Sequence, residues 1–126
     1  MKTVVTAKAP AAIGPYSQGK VHGSLLFVSG QIPVDPATGN IAGSTIELQA
    51  EQSCKNVGAV LKAAETDYDR VIKTTCFLAD MKDFSVFNEI YEKYFISKPA
   101  RSCVAVKELP KNCLCEVEVI AAVDGE

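Results

Sequence analysis

Residues 114–123 alternate with the period of a β-strand, and they do so with two useful faces. Cys115, Val117, Val119 and Ala121 form one wholly apolar face. Leu114, Glu116, Glu118 and Ile120 form the other, where two aliphatic side chains share the surface with two carboxylates. The first face demands a layer of helices over it. The second is too apolar to be simply solvated and too charged to be core, so it needs a different cover. Association of identical copies supplies one, because symmetry lets a single patch serve every subunit.

The helices for the first face are legible. Ala50, Cys54, Val57, Leu61 and Ala64 fall at alternating spacings of four and three, which is one helical stripe. Ser44-Thr45-Ile46-Glu47 before it fits a capping box through Ser44 and Glu47, and residues 66–69 end it. A second stripe, Phe84, Phe87, Ile90, Tyr91, Tyr94 and Phe95, begins after Asp80 or Asp83 as cap and stops at Ser97-Lys98-Pro99. Asn88 lies at the edge of that stripe, beside Phe84 and Tyr91. Strands are expected at 24–29, with 20–22 as a preceding hairpin arm, at 71–78 as a central strand, at 102–106 and at 114–123. Each helix lies between strands. The fold class is α+β: a single mixed β-sheet with two helices packed on one face. No repeat, linker or low-complexity stretch divides residues 1–126, so one domain is expected.

Composition excludes several classes of function. The chain has 126 residues, which bury about two-thirds of their unfolded surface in a domain of this size. The formal net charge is −2 with no basic run, which argues against nucleic acid as a partner. No apolar run approaches a membrane span, and residues 1–5 lack the apolar stretch of a secretory signal. A cytoplasmic protein without membrane partners is the resulting expectation. The five cysteines, Cys54, Cys76, Cys103, Cys113 and Cys115, match no disulfide or zinc spacing, and His22 is the sole histidine. They read as small hydrophobes in a reducing compartment, with no metal site.

Arg101 is the most informative cation. Pro99 stiffens the approach to the strand and pushes Lys98 toward extended geometry, so a rigid guanidinium fork stands at the strand mouth. Such a fork matches a small carboxylate in bidentate fashion, although a solvated boundary charge would have the same sequence. Glu116 and Glu118 are candidate general bases for water, or else surface acids. Tyr16 follows the Gly14-Pro15 turn, which can hold its hydroxyl over a pocket. Ser29 lacks the surroundings of a triad nucleophile and reads as a hydrogen-bond donor.

Four segments together carry a resemblance. Residues 11–18 (Ala-Ala-Ile-Gly-Pro-Tyr-Ser-Gln), 28–33 (Val-Ser-Gly-Gln-Ile-Pro), 99–102 (Pro-Ala-Arg-Ser) and 116–118 (Glu-Val-Glu) resemble the Rid family (YjgF/YER057c/UK114), nearest its RidA subgroup. The likeness extends over residues 8–122. It implies a chorismate mutase-like fold and a homotrimer with pockets between subunits. It also implies hydrolysis of 2-imino acids and their enamine tautomers, such as 2-aminoacrylate and 2-iminopropionate, to 2-keto acids and ammonia without a cofactor. Carried over residue by residue, the resemblance makes Arg101 the carboxylate clamp and Glu116 the water-activating base. Tyr16 and Ser29 join the catalytic set, and Cys103, Asn88 and Gly30 the substrate-binding set. Three other readings stay open: a ligand-binding regulatory trimer without turnover, an RNA-cleaving translation inhibitor, and a thiol-dependent holdase.

Overall fold

The structure is a computed structural model and describes residues 1–125. Its strands are β1 (Lys2–Val4), β2 (Gly19–His22), β3 (Leu25–Gln31), β4 (Val71–Leu78), β5 (Ala100–Ala105) and β6 (Cys115–Ala122). Helix α1 (Ile46–Ala63) joins β3 to β4, and α2 (Phe84–Tyr94) joins β4 to β5. All six strands form one sheet in the order β1-β2-β3-β6-β4-β5. The last strand of the chain is thus inserted in the middle. It runs antiparallel to β3 and to β4, while β4 and β5 pair in parallel across α2.

The faces of β6 are as the alternation requires. Cys115, Val117, Val119 and Ala121 are at most 3% exposed and belong to the core. That core also holds Ala50, Cys54, Val57 and Leu61 of α1, and Phe87 and Tyr91 of α2 with Phe95 just beyond it. Both helices therefore cover the same face. Tyr91 is fixed to the sheet by a 2.7 Å hydrogen bond between its hydroxyl and that of Thr74. On the opposite face Glu116, Glu118 and Ile120 are half-buried, while Phe27 and Val104 remain 44% and 46% exposed. Among the described residues no helix is long and apolar enough to cross a membrane.

Four local details differ from the sequence reading. Strand β1 has no counterpart in it: three residues with one buried side chain give too short a pattern. Thr45, not Ser44, caps α1, accepting from Leu48 N at 3.3 Å. The cap position must have extended backbone, and Thr45 has it, with φ −108° and ψ 154°. The helix also ends earlier than residues 66–69, at Ala63, because Glu65 turns left-handed (φ 60°) and lets Thr66 N donate back to Leu61 O. Lys98 is not extended but left-handed, with φ 51°. The chain must reverse between α2 and β5, and a 3.2 Å bond from Lys98 N to Phe95 O closes that reversal. Strand β5 then begins at Ala100, so Arg101 lies within the strand and inherits its pleat.

The N-terminal segment is held by one buried amide. Gln18, 3% exposed, accepts from Thr6 N at 2.7 Å and donates to Thr6 O at 3.0 Å and Pro10 O at 2.8 Å. Gln18→Ala would leave these backbone groups without their partner. We expect it to lower unfolding free energy by about 1–3 kcal/mol in urea titrations. It should also expose the 6–17 segment to proteolysis first.

Candidate active site

The pleat decides where each candidate side chain points. In the sheet Arg101 is directly abreast of Thr74, which is abreast of Val119. Thr74 and Val119 are buried under the helices, so Arg101 emerges on the helix side. There its guanidinium donates to Asn88 Oδ1 at 2.7 Å. Its carbon stands 4.8 Å from the ring centre of Tyr91 and 5.5 Å from that of Phe84. Two ring faces and an amide thus fix a fork that has five N–H donors. A groove of about 600 Å³ opens beside it, lined by Asn88, Tyr91, Ile96, Lys98, Pro99 and Arg101.

Cys103 lies on the same side, two residues along and abreast of Cys76. It is half-exposed, whereas Cys76 is fully buried. A hydrogen bond from the Cys76 thiol, helped by the Arg101 charge and opposed by burial, lowers the Cys103 thiol to about 7.

Glu116 is abreast of Phe77 and emerges on the opposite face, as does Glu118 abreast of Thr75. The Glu116 carboxylate lies across Gly30: a Cβ at residue 30 would fall on Glu116 Oε2. The glycine of the Ser-Gly-Gln segment is therefore the space in which the carboxylate rests. Burial, and then the neighbouring Glu118 carboxylate, raise Glu116 above the usual glutamate range. Ser29 acts as the donor its surroundings imply, with Oγ 2.6 Å from Ser17 O and its backbone N 3.0 Å from Gln18 O. These bonds pin the loop that carries Tyr16, whose backbone N bonds Gly14 O at 2.9 Å across Pro15, beside the left-handed Gly14 (φ 137°). The Tyr16 ring, 53% exposed, borders a groove of about 480 Å³ together with Lys20, Phe27, Ser29 and Glu118.

The seven candidates thus fall into two sets. Tyr16, Ser29, Gly30 and Glu116 are brought together on one side of the molecule; Arg101, Asn88 and Cys103 on the other. The sheet separates the two sets within one protomer. Sequence reasoning missed Tyr91 and Phe84 as the bed for Arg101, Gln18 as the anchor of the Tyr16 loop, and Cys76 beside Cys103. Only the Asn88 position, flanked by Phe84 and Tyr91 on a helical projection, hinted at the first. Among the described residues no three His, Cys, Asp or Glu side chains converge as a metal site.

The chain has relatives among known proteins. Residues 6–123 match the family model described as Endoribonuclease L-PSP. The chain belongs to that family, the YjgF/RutC/Rid family. It is 58% identical over 124 residues to a candidate regulator, AldR, of Lactococcus lactis, covering 98% of both chains. It is 48% identical to the 2-iminobutanoate/2-iminopropanoate deaminase of Salmonella typhimurium, covering 95% of this chain and 96% of that one. Among solved structures, E. coli TdcF with bound serine superposes with a TM-score of 0.93 at 44% identity, over 97% of this chain and 98% of that one.

Two outcomes follow for the carboxylate. Gly30→Ala displaces only the flexible end of a side chain, so the melting temperature should change little. Separately, a carboxyl group raised by folding binds its proton more tightly folded than unfolded, so its ionisation opposes folding as pH rises. Glu116→Gln should therefore raise the melting temperature at neutral pH, and the gain should vanish below the unfolded glutamate pKa of about 4.3.

Proposed function

We propose that this protein hydrolyses small 2-imino acids, and their enamine tautomers, to 2-keto acids and ammonia. We further propose that it does so as a homotrimer whose sites join the Arg101 set of one protomer to the Glu116 set of its neighbour. The observation that carries this reading is the division of the site. A carboxylate-matching fork and a carboxylate with raised proton affinity stand on opposite faces of one sheet, and the second face bears exposed Phe27 and Val104. Packing that face against another copy covers the apolar surface and leaves room for a substrate between the two sets. The names of the deaminase relatives and the serine bound to TdcF support a small amino-acid-like ligand.

The chemistry needs few groups. Arg101 holds the substrate carboxylate and so fixes the neighbouring C=N carbon in place. Glu116 takes a proton from a water as the water oxygen bonds to that carbon, and the C=N π pair passes to nitrogen. The nitrogen, protonated, leaves as ammonia when the carbinolamine collapses, and the former water oxygen becomes the keto oxygen. Glu116 first passes that proton to the nitrogen, giving the carbinolamine, and then carries the hydroxyl proton to the same nitrogen as the C–N bond breaks, so both water protons leave with the ammonia. A positioned general base contributes on the order of 10²–10⁴-fold, sufficient for an imine that is already electrophilic. Tyr16 and Ser29 shape the rim, Gly30 leaves room for the base, and the Cys103 backbone borders the reacting nitrogen.

Ammonia release from freshly generated 2-iminopropionate tests this reading. Arg101→Ala should lower kcat/KM by on the order of 10²-fold or more, the cost of leaving a carboxylate without its charged partner. Arg101→Lys should recover only a fraction, because a point charge cannot replace the fork. The wild-type rate should fall as pH drops through the raised Glu116 value. The regulator name of the 58% identical relative favours a second reading, ligand binding without turnover. That reading predicts calorimetric binding of 2-keto acids with no acceleration of imine hydrolysis.

A further inference from the structure

Among the described cysteines, Cys54, Cys76, Cys113 and Cys115 are buried, and Cys103 alone is half-exposed. Cys103 and Cys76 are directly paired on the parallel strands β5 and β4, on the same side of the sheet. Paired residues on neighbouring strands stand about 4.8 Å apart, within the Cα separation of about 4.4–6.8 Å that a disulfide spans. Arg101 stands two residues before Cys103 on that same side, abreast of Thr74. The guanidinium favours the thiolate over the thiol, and the neighbouring Cys76 thiol has a proton to share with it.

We propose that Cys76 and Cys103 are a peroxide-oxidisable dithiol, a modification site in which Cys103 reacts first and Cys76 closes a disulfide onto it. In the first step the Cys103 thiolate attacks one oxygen of hydrogen peroxide. The O–O bond breaks, hydroxide leaves, and Cys103 becomes a sulfenic acid, oxidised by two electrons while the peroxide is reduced by two. In the second step the Cys76 sulfur attacks the Cys103 sulfur. The S–O bond breaks, the Cys76 proton goes to the departing oxygen, and water and a disulfide result. The order is set by access: the oxidant reaches half-exposed Cys103, whereas buried Cys76 needs only to meet its neighbour. A dithiol reductant reverses the change by exchange. The pair Cys113 and Cys115 has no such route, since both are buried and neither offers the oxidant a half-exposed thiol.

The test is oxidation of the folded full-length protein with a few equivalents of hydrogen peroxide, followed by thiol blocking and peptide mass mapping. Two thiols should be lost with a mass decrease of about 2 Da, restored by dithiothreitol. Tryptic peptides 74–82 and 102–107 should appear joined. In Cys76→Val the joined peptide should vanish and Cys103 should proceed to sulfinic acid. In Cys103→Ser both the joined peptide and the oxidation of Cys76 should be absent. Sulfinic acid at Cys103 of the wild-type protein with no joined peptide would overturn the proposal. So would a disulfide of Cys103 to any other cysteine. The wild-type map decides the matter even if a variant does not fold.

Discussion

The pleat of three adjacent strands, β6, β4 and β5, governs everything else in this protein. Abreast of one another, Val119, Thr74 and Arg101 all point to the helices, whereas Glu116, Phe77 and Val104 all point away. The register allows no exception, because a slip by one residue would turn every buried side chain of β6 to the other side. The four core residues Cys115, Val117, Val119 and Ala121 hold that register in place. The burial that stabilises the sheet is therefore the same constraint that sends Arg101 and the Glu116 carboxylate to opposite faces.

Each half of the site is prepared by its own neighbours. Arg101 rests on Tyr91, which is tied to Thr74 in the core, so the guanidinium's bed is part of the helix–sheet interface. Asn88 then sets the rotation of the fork. On the other face Gly30 gives the Glu116 carboxylate its space, and Ser29 and Gln18 secure the loop that carries Tyr16. The energetic characters of the halves are complementary. One is a cation stacked on aromatic rings, and the other is a half-buried carboxylate beside the like-charged Glu118 that holds its proton tightly. Either half alone is an imperfect place for a charge. A substrate bearing both a carboxylate and an electrophilic carbon would satisfy both at once.

Much of this was legible in the sequence, and the omissions have physical causes. Period-two and helical alternation are local, so the faces of β6 and the stripes of both helices can be read directly. The covered and uncovered sides of the sheet follow from them. Strand order is not local: nothing in residues 114–123 says that they insert between β3 and β4. The distance between Arg101 and Glu116, and the pairing of Cys76 with Cys103, depend on that order and on the β4–β5 register. Lys98 shows the same limit at short range. The rule for a residue before proline favours extended backbone, but the reversal from α2 into β5 overrides it with a left-handed turn. Gln18 closes the 11–18 segment, yet its work as a buried anchor depends on a segment twelve residues away at Thr6.

The central claim is that the clamp and the base of one site come from different protomers. Its most direct test mixes two inactive variants, Arg101→Ala and Glu116→Gln, unfolded together in equal amounts and refolded. In a randomly mixed trimer with shared sites, about one site in four receives an intact Arg101 from one subunit and an intact Glu116 from the next. The account predicts that imine hydrolysis returns to about a quarter of the wild-type rate. A mixture no more active than the separate variants would contradict it.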